Sequence, residues 1–279
     1  MKEKPQDQRL LGIIAGRTLD EQIECIGKYG NHGVTPVLRS TLLKSLGVTK
    51  PKQDAENLLM FGCYIPFSYP LLLRDYIKIL DLLGVEYTYL EEEYCCGMPM
   101  IFTTIGAERE KAIKAGKEFM QMNRDTARQK GATNIVYNCI GCAHAAKGFF
   151  PDEAAHHMYY FSLIIDKLEK KTMRIAPTVM GYYEGCQIRY NELFPEVSLD
   201  WGRCRQLLDR IEGLEMVDLP HKICCAEHSE RIVETAEKQN LDTILCSCNG
   251  CYGRINTAAQ GKVQVKYLTD VLLEALSRE

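Results

Sequence analysis

The sequence predicts a doubled α/β fold: two pseudo-symmetric modules, each with a mostly parallel sheet flanked by helices, plus a helical N-terminal extension. Three observations carry this. Short apolar runs alternate with stretches of helical periodicity, the pattern of strands joined by crossover helices. Ten of the thirteen cysteines fall in one order repeated twice. After each copy comes a similar amphipathic segment, Tyr160–Leu168 and Tyr267–Glu274. Self-similarity on this scale reads as one module used twice.

The elements follow in order. Residues 1–56 form the extension outside the repeat, with the look of a docking element. Leu19, Ile23 and Ile26 mark a short helix. Thr35-Pro36, then Leu38, Leu42, Leu43 and Leu46 before Gly47, marks another with a cap, a proline start and a glycine stop. Thr49 to Glu56 is polar and reads as a linker. The first module, 57–173, has a strand over Leu58–Gly62, a helix from Leu71 to Leu83, and a strand over Val85–Leu90. A long helix over Ile105–Lys130 and a strand over Asn134–Asn138 follow. The second, 174–279, matches it: Thr178–Tyr183, a helix over Trp201–Ile211, Leu214–Leu219, a helix over Ser229–Gln239, and Thr243–Ser247. The cysteines sit just past strand C-termini, where open α/β sheets place ligands.

Composition narrows the chemistry. With 279 residues, 46% hydrophobic and 25% charged, the chain has the makings of an ordinary core. A net charge of −3 excludes a strongly basic nucleic-acid binder. No apolar run approaches the roughly 18 residues of a membrane span. Met1-Lys2-Glu3-Lys4-Pro5 has no apolar core behind it, so no secretory signal is expected and a cytoplasmic location is. In a reducing compartment the thiols stay free, and clustered free thiols point to metal.

The first set is Cys63 after Gly62, the pair Cys95-Cys96, then Cys139-Ile140-Gly141-Cys142. The second is Cys186 after Gly185, the pair Cys224-Cys225, then Cys248-Asn249-Gly250-Cys251. The intervening gaps are 31 and 42 residues in the first, 37 and 22 in the second. Thiolates are the preferred ligands of zinc and iron–sulfur clusters, and C-x-x-C lets two sulfurs converge from one tight turn. Structural zinc takes four ligands, one fewer than each set offers. Adjacent cysteines do not readily meet on one metal atom but reach neighbouring atoms of a larger cluster. An irregular multi-iron cluster fits five sulfurs better than a single ion, with one of the five a possible spectator.

This repeated Cys, Cys-Cys-Gly, C-x-x-C arrangement resembles the CCG domain pair of the B subunit of heterodisulfide reductase, over about residues 57–279. The resemblance implies two noncubane 4Fe-4S clusters. One would use Cys63, Cys95, Cys96, Cys139 and Cys142, the other Cys186, Cys224, Cys225, Cys248 and Cys251. It implies an oxidoreductase component that reduces, or in reverse forms, a small disulfide held between the clusters. It further implies electrons from a small ferredoxin-like partner subunit, itself fed by a flavin-containing one, in anaerobic metabolism. Two other readings stay open. One is an electron-transfer or docking subunit of a dehydrogenase or quinone-linked complex without disulfide chemistry. The other is one cluster plus one zinc, invited by the altered second module, where Cys224-Cys225 is followed by Ala226 and the next gap is short. Such a shortened loop would open or reshape one side of the cleft.

Other residues take lesser roles. His144 and His228 follow ligand cysteines and are the candidate proton donors to a leaving thiolate, against the plainer alternative of surface or helix-end histidines. Lys147, Arg189 and Arg254 are candidate grips for an anionic substrate. His156-His157 lies in a linker-like stretch and is assigned nothing. Cys25, Cys204 and Cys246 read as packing, with a minor ligand role open for Cys246. Tyr64, Tyr94, Tyr137, Tyr182, Tyr183 and Tyr252 flank ligand positions and are expected to shield them from water.

Overall fold

The structure is a computed structural model and describes residues 16–48, 54–185, 188–199, 201–220 and 223–277. Cys186 and most of the expected linker, 49–53, lie outside the described residues.

Both extension helices form as their caps require. In α1 (Leu19–Tyr29) Thr18 and Glu21 make a reciprocal capping box, and the helix ends on Gly30 at φ +73°. Helix α2 (Pro36–Ser45) starts on Thr35, whose hydroxyl accepts from the Leu38 N–H.

Two four-stranded sheets follow. The first contains β1 (Asn57–Met60), β2 (Thr88–Tyr89), β3 (Asn134–Tyr137) and β4 (His157–Tyr159), in the order β2-β1-β3-β4. The second contains β5 (Arg174–Tyr183), β6 (Glu212–Asp218), β7 (Thr243–Cys246) and β8 (Gln264–Tyr267), in the order β6-β5-β7-β8. Every pairing is parallel, and the order is the same in both sheets, so the cysteine repeat is a repeat of fold. The fourth strand of each sheet goes beyond the sequence expectations. Three or four residues with no long alternation leave too little pattern to read. The view of His156-His157 as linker is corrected here: His157 begins β4, is buried, and its Nδ1 lies 2.8 Å from the Tyr137 hydroxyl.

The first sheet's helices are α3 (Ile65–Ser68), α4 (Pro70–Leu82), α5 (Met98–Thr103), α6 (Gly106–Gln129), α7 (Ile140–Phe149) and α8 (Tyr160–Leu168). The second has α9 (Ile188–Leu193), α10 (Trp201–Leu208), α11 (Cys225–Lys238), α12 (Asn249–Ala259) and α13 (Leu268–Leu276). The modules exchange contacts reciprocally. Helix α8 packs on α10, and α13 packs on α4. At this junction the Tyr76 and Tyr267 hydroxyls are 2.6 Å apart, and Tyr159 adds a third at 3.0 Å from Tyr267. Tyr76 donates to the Asn138 carbonyl and Tyr159 to the Ser247 carbonyl, so these buried hydroxyls are satisfied. Asn138 and Ser247 immediately precede Cys139 and Cys248, which fixes both C-x-G-C turns to one shared wall.

Candidate metal centres

The first cysteine group is assembled from three loops. Beyond β1 the chain turns at Gly62, φ +75°, so tightly that a Cβ there would sit 3.6 Å from Cys142 Sγ and 3.7 Å from Cys139 Cβ. That close approach lays the Cys63 loop on the turn that opens α7. Cys63 and Cys95 sulfurs are 3.3 Å apart, and Cys96 and Cys142 sulfurs 3.4 Å. The vicinal pair is held from behind. The Cys95 N–H donates to the Gly30 carbonyl at 2.7 Å. Gly97, at φ +80°, lies so near α6 that a Cβ would fall 2.8 Å from the Gly116 Cα.

Protons are shared among these packed thiols. Hydrogen bonding from Cys95 draws Cys63 down to about 6, assisted by His32. Cys142 draws Cys96 and Cys139 down and is itself pushed up. The group is therefore poised to lose protons to a cation, as thiolate ligation requires.

The second group repeats the geometry for the cysteines described. Gly185, φ +108°, would place a Cβ 3.7 Å from Cys248 Cβ and 3.7 Å from Cys251 Sγ. Cys225 and Cys251 sulfurs are 3.3 Å apart, matching Cys96 and Cys142. Hydrogen bonding from Cys224, then from Cys251, draws Cys225 down to about 4. The modules differ after the vicinal pair. The first interposes Gly97 and α5 before its long helix, whereas α11 begins at Cys225 itself. With no counterpart of α5, Cys224 is half-buried at the wall of a cavity of about 380 Å³. Phe102 and Arg109 line this cavity from the first module, and Ile188, Arg189, Ile223 and His228 from the second.

Tyr190, on α9, stands between the two groups. Burial raises its hydroxyl well above the usual range, and the facing sulfurs of Cys248, Cys139, Cys251 and Cys96 push the same way. Asn249, the neighbour of Cys248, hydrogen-bonds Cys139. The two groups thus face each other across the module junction.

The donor sets fit iron–sulfur clusters. In the first module five cysteines, most of them buried, converge from three loops, more than one zinc ion takes. The twelve described cysteines form no disulfide among them.

The remaining candidates separate clearly. His228 lines the cavity and departs from helical geometry there (φ −133°, ψ 26°). His144 is fully buried against Tyr190 and Phe194, away from the cavity, and burial holds its pKa below the usual value. Arg189 lines the cavity while paired with Glu227 at 3.1 Å. Lys147 donates to the Ala154 carbonyl, outside the cavity. Arg254 lies close enough to favour the Cys225 thiolate. Cys204 and Cys246 are buried, and Cys25 bonds to Arg17 and the Asn31 carbonyl. Tyr137, Tyr182 and Tyr183 are buried beside the sites as expected of shields. Sequence reasoning misses His32, Arg109 and Tyr190. None lies near a cysteine motif in the chain except Tyr190, four residues after Cys186, where an aromatic carries no distinguishing signal.

Comparison with known proteins agrees. Residues 58–146 match the cysteine-rich CCG domain. The chain is 25% identical over 227 residues to the D subunit of the dihydromethanophenazine:CoB–CoM heterodisulfide reductase of Methanosarcina acetivorans, covering 71% of this chain and 53% of that one. It is 28% identical over 195 residues to the C subunit of the anaerobic glycerol-3-phosphate dehydrogenase of Escherichia coli, covering 65% and 46%. It is 22% identical over 237 residues to the B subunit of the fumarate reductase (CoM/CoB) of Methanothermobacter marburgensis, covering 77% and 45%. The chain spans about half the length of these curated relatives. The resemblance to heterodisulfide reductase stands at this coarser level, through its D subunit where the cysteine motif had pointed to its B subunit. The chain is thus similar, over part of its length, to the CCG domain and to subunits of oxidoreductases. Among the described residues no helix is long and apolar enough to cross a membrane.

Proposed function

We propose that this chain is the iron–sulfur component of a cytoplasmic heterodisulfide reductase-like complex, cutting or forming a small disulfide between two noncubane 4Fe-4S clusters. The duplicated cysteine geometry, with its two copies facing each other across Tyr190, carries this reading. Cys63, Cys95, Cys96, Cys139 and Cys142 hold one cluster, and Cys186, Cys224, Cys225, Cys248 and Cys251 the other. When bound, the clusters supply one electron each, the two electrons that a disulfide and two protons need to become two thiols. The chain's own residues do the rest. The cavity beside Cys224 receives the substrate, Arg109 and Arg189 hold its anionic ends, and His228 stands where a proton is delivered. The chain shows no fingerprint for flavin or nicotinamide, so its electrons come from partners, one ferredoxin-like and one flavin-containing.

Anaerobic reconstitution with iron and sulfide should give about eight irons per chain, and the loaded protein should release thiol from a disulfide with a reduced dye. About four irons and one zinc would replace the second cluster by a zinc site. The similarity to a glycerol-3-phosphate dehydrogenase component favours a second reading, an electron-transfer or docking role. Intact clusters with no thiol release would establish it.

A further inference from the structure

Within this reading of the cysteines as cluster ligands, we infer that His32 is a sixth protein donor of the first centre, a nitrogen ligand delivered by the N-terminal extension. His32 Nε2 lies 3.4 Å from Cys95 Sγ, and Cys95 Sγ lies 3.3 Å from Cys63 Sγ. One donor atom from each of the three residues falls within 4.8 Å of the others, and all three residues are buried. Metal–nitrogen and metal–sulfur bonds of about 2.0 and 2.3 Å at tetrahedral angles put neighbouring N and S ligands about 3.5 Å apart. The observed spacing is that of two ligands on one metal atom.

The imidazole is also held for the task. Its other nitrogen, Nδ1, is buried with no hydrogen-bond partner among the described residues. Nε2 is the nitrogen that faces the sulfurs, so it is the one placed to bind a metal. The loop carrying it is rigid. Asn31 Oδ1 accepts from the Gly33 and Val34 N–H groups, while its Nδ2 donates to the Tyr29 and Val34 carbonyls. Arg17 donates to the His32 carbonyl, and the Gly30 carbonyl just before it accepts the Cys95 N–H. Below the loop, Arg39 pairs with buried Glu93 at 2.9 Å, and Glu93 accepts from the Phe61 and Gly62 N–H groups just before Cys63. The extension and the Cys63 loop are thereby locked in register. Cys186, the counterpart of Cys63, lies outside the described residues, and His228 lines the cavity wall beside Cys224.

Pulsed electron paramagnetic resonance on the reconstituted full chain, carrying 15N-labelled histidine, tests this. We expect a directly bound nitrogen coupling that is lost in both His32→Ala and His32→Cys. One of the two midpoint potentials should move in each variant and the other stay. His32→Cys should keep the iron content because it restores a ligand, and exposed His156→Ala should change nothing. Full iron with no histidine coupling, or two unmoved potentials in His32→Ala, overturns the inference and leaves the cluster reading standing. A wild-type chain that takes up no iron overturns both.

Discussion

Cys95 and Cys224 hold the same place in the two modules, the first member of the adjacent pair. Cys95 is 2% exposed behind His32 and Gly30, while Cys224 is half-buried on a cavity wall. The sheets beneath them have one strand order, and the sulfur spacings that can be compared agree within 0.1 Å. The difference arises from what is laid over the scaffold. In the first module this is the extension helices and the Gly97–α5 insert; the second has a helix starting directly at Cys225. Duplication preserved the cysteine frame, and additions at the loops set which copy meets solvent.

The sharpest way to break the comparison is to lift the cover from the first copy. Arg39→Met strands the buried carboxylate of Glu93, which burial already pushes above its usual pKa. Losing one partner of a buried ion pair costs about 3–5 kcal/mol. Chemical denaturation should show a loss of that size, together with increased reactivity of Cys95 toward alkylating agents.

A second difference lies at the fourth strand. His157 pairs in register with Ile135, as Val265 does with Ile244, so the first module alone places a histidine here. Burial lowers His157 from 6.5 to about 4. The unfolded chain takes up this proton as pH falls through 6.5, but the folded chain does so only near 4. The stability is thus fully present above about pH 6.5 and lost toward pH 4, on the order of 3 kcal/mol. In His157→Val, denaturation midpoints measured across that window should lose this component.

Making the two vicinal pairs alike tests the backbone. Gly97→Ala copies Ala226 onto a positive φ, with backbone 2.8 Å from the new Cβ. A cost of about 2 kcal/mol is expected by thermal unfolding, whereas Ala226→Gly should cost about 1 kcal/mol or less. The smallest effect is at the open side. Arg109→Ala and Arg189→Ala should each raise KM for an anionic disulfide about tenfold, near 1.4 kcal/mol, with little change in kcat. Steady-state kinetics would check this, and a neutral disulfide should be insensitive.

Much of this is legible in the chain. The strand–helix alternation places β1, β3, β5, β6 and β7, and Thr35 with its proline fixes the start of an extension helix, because caps and periodicity are local. The cysteine order exposes the duplication because ligand spacing along a chain survives as text. Short strands β4 and β8 are not legible, and His157 is misread with them.

The sequence by itself determined the doubled α/β fold, its parallel sheets and the repeated cysteine order, since each rests on residues close together in the chain. Only the tertiary structure decided that His32 lies 3.4 Å from Cys95, 63 positions away, that Tyr190 separates the two sulfur groups, and that Arg109 shares a cavity with Cys224. Those neighbours meet because the extension folds back and the modules exchange helices, and no local preference along the chain records which distant surfaces bury each other.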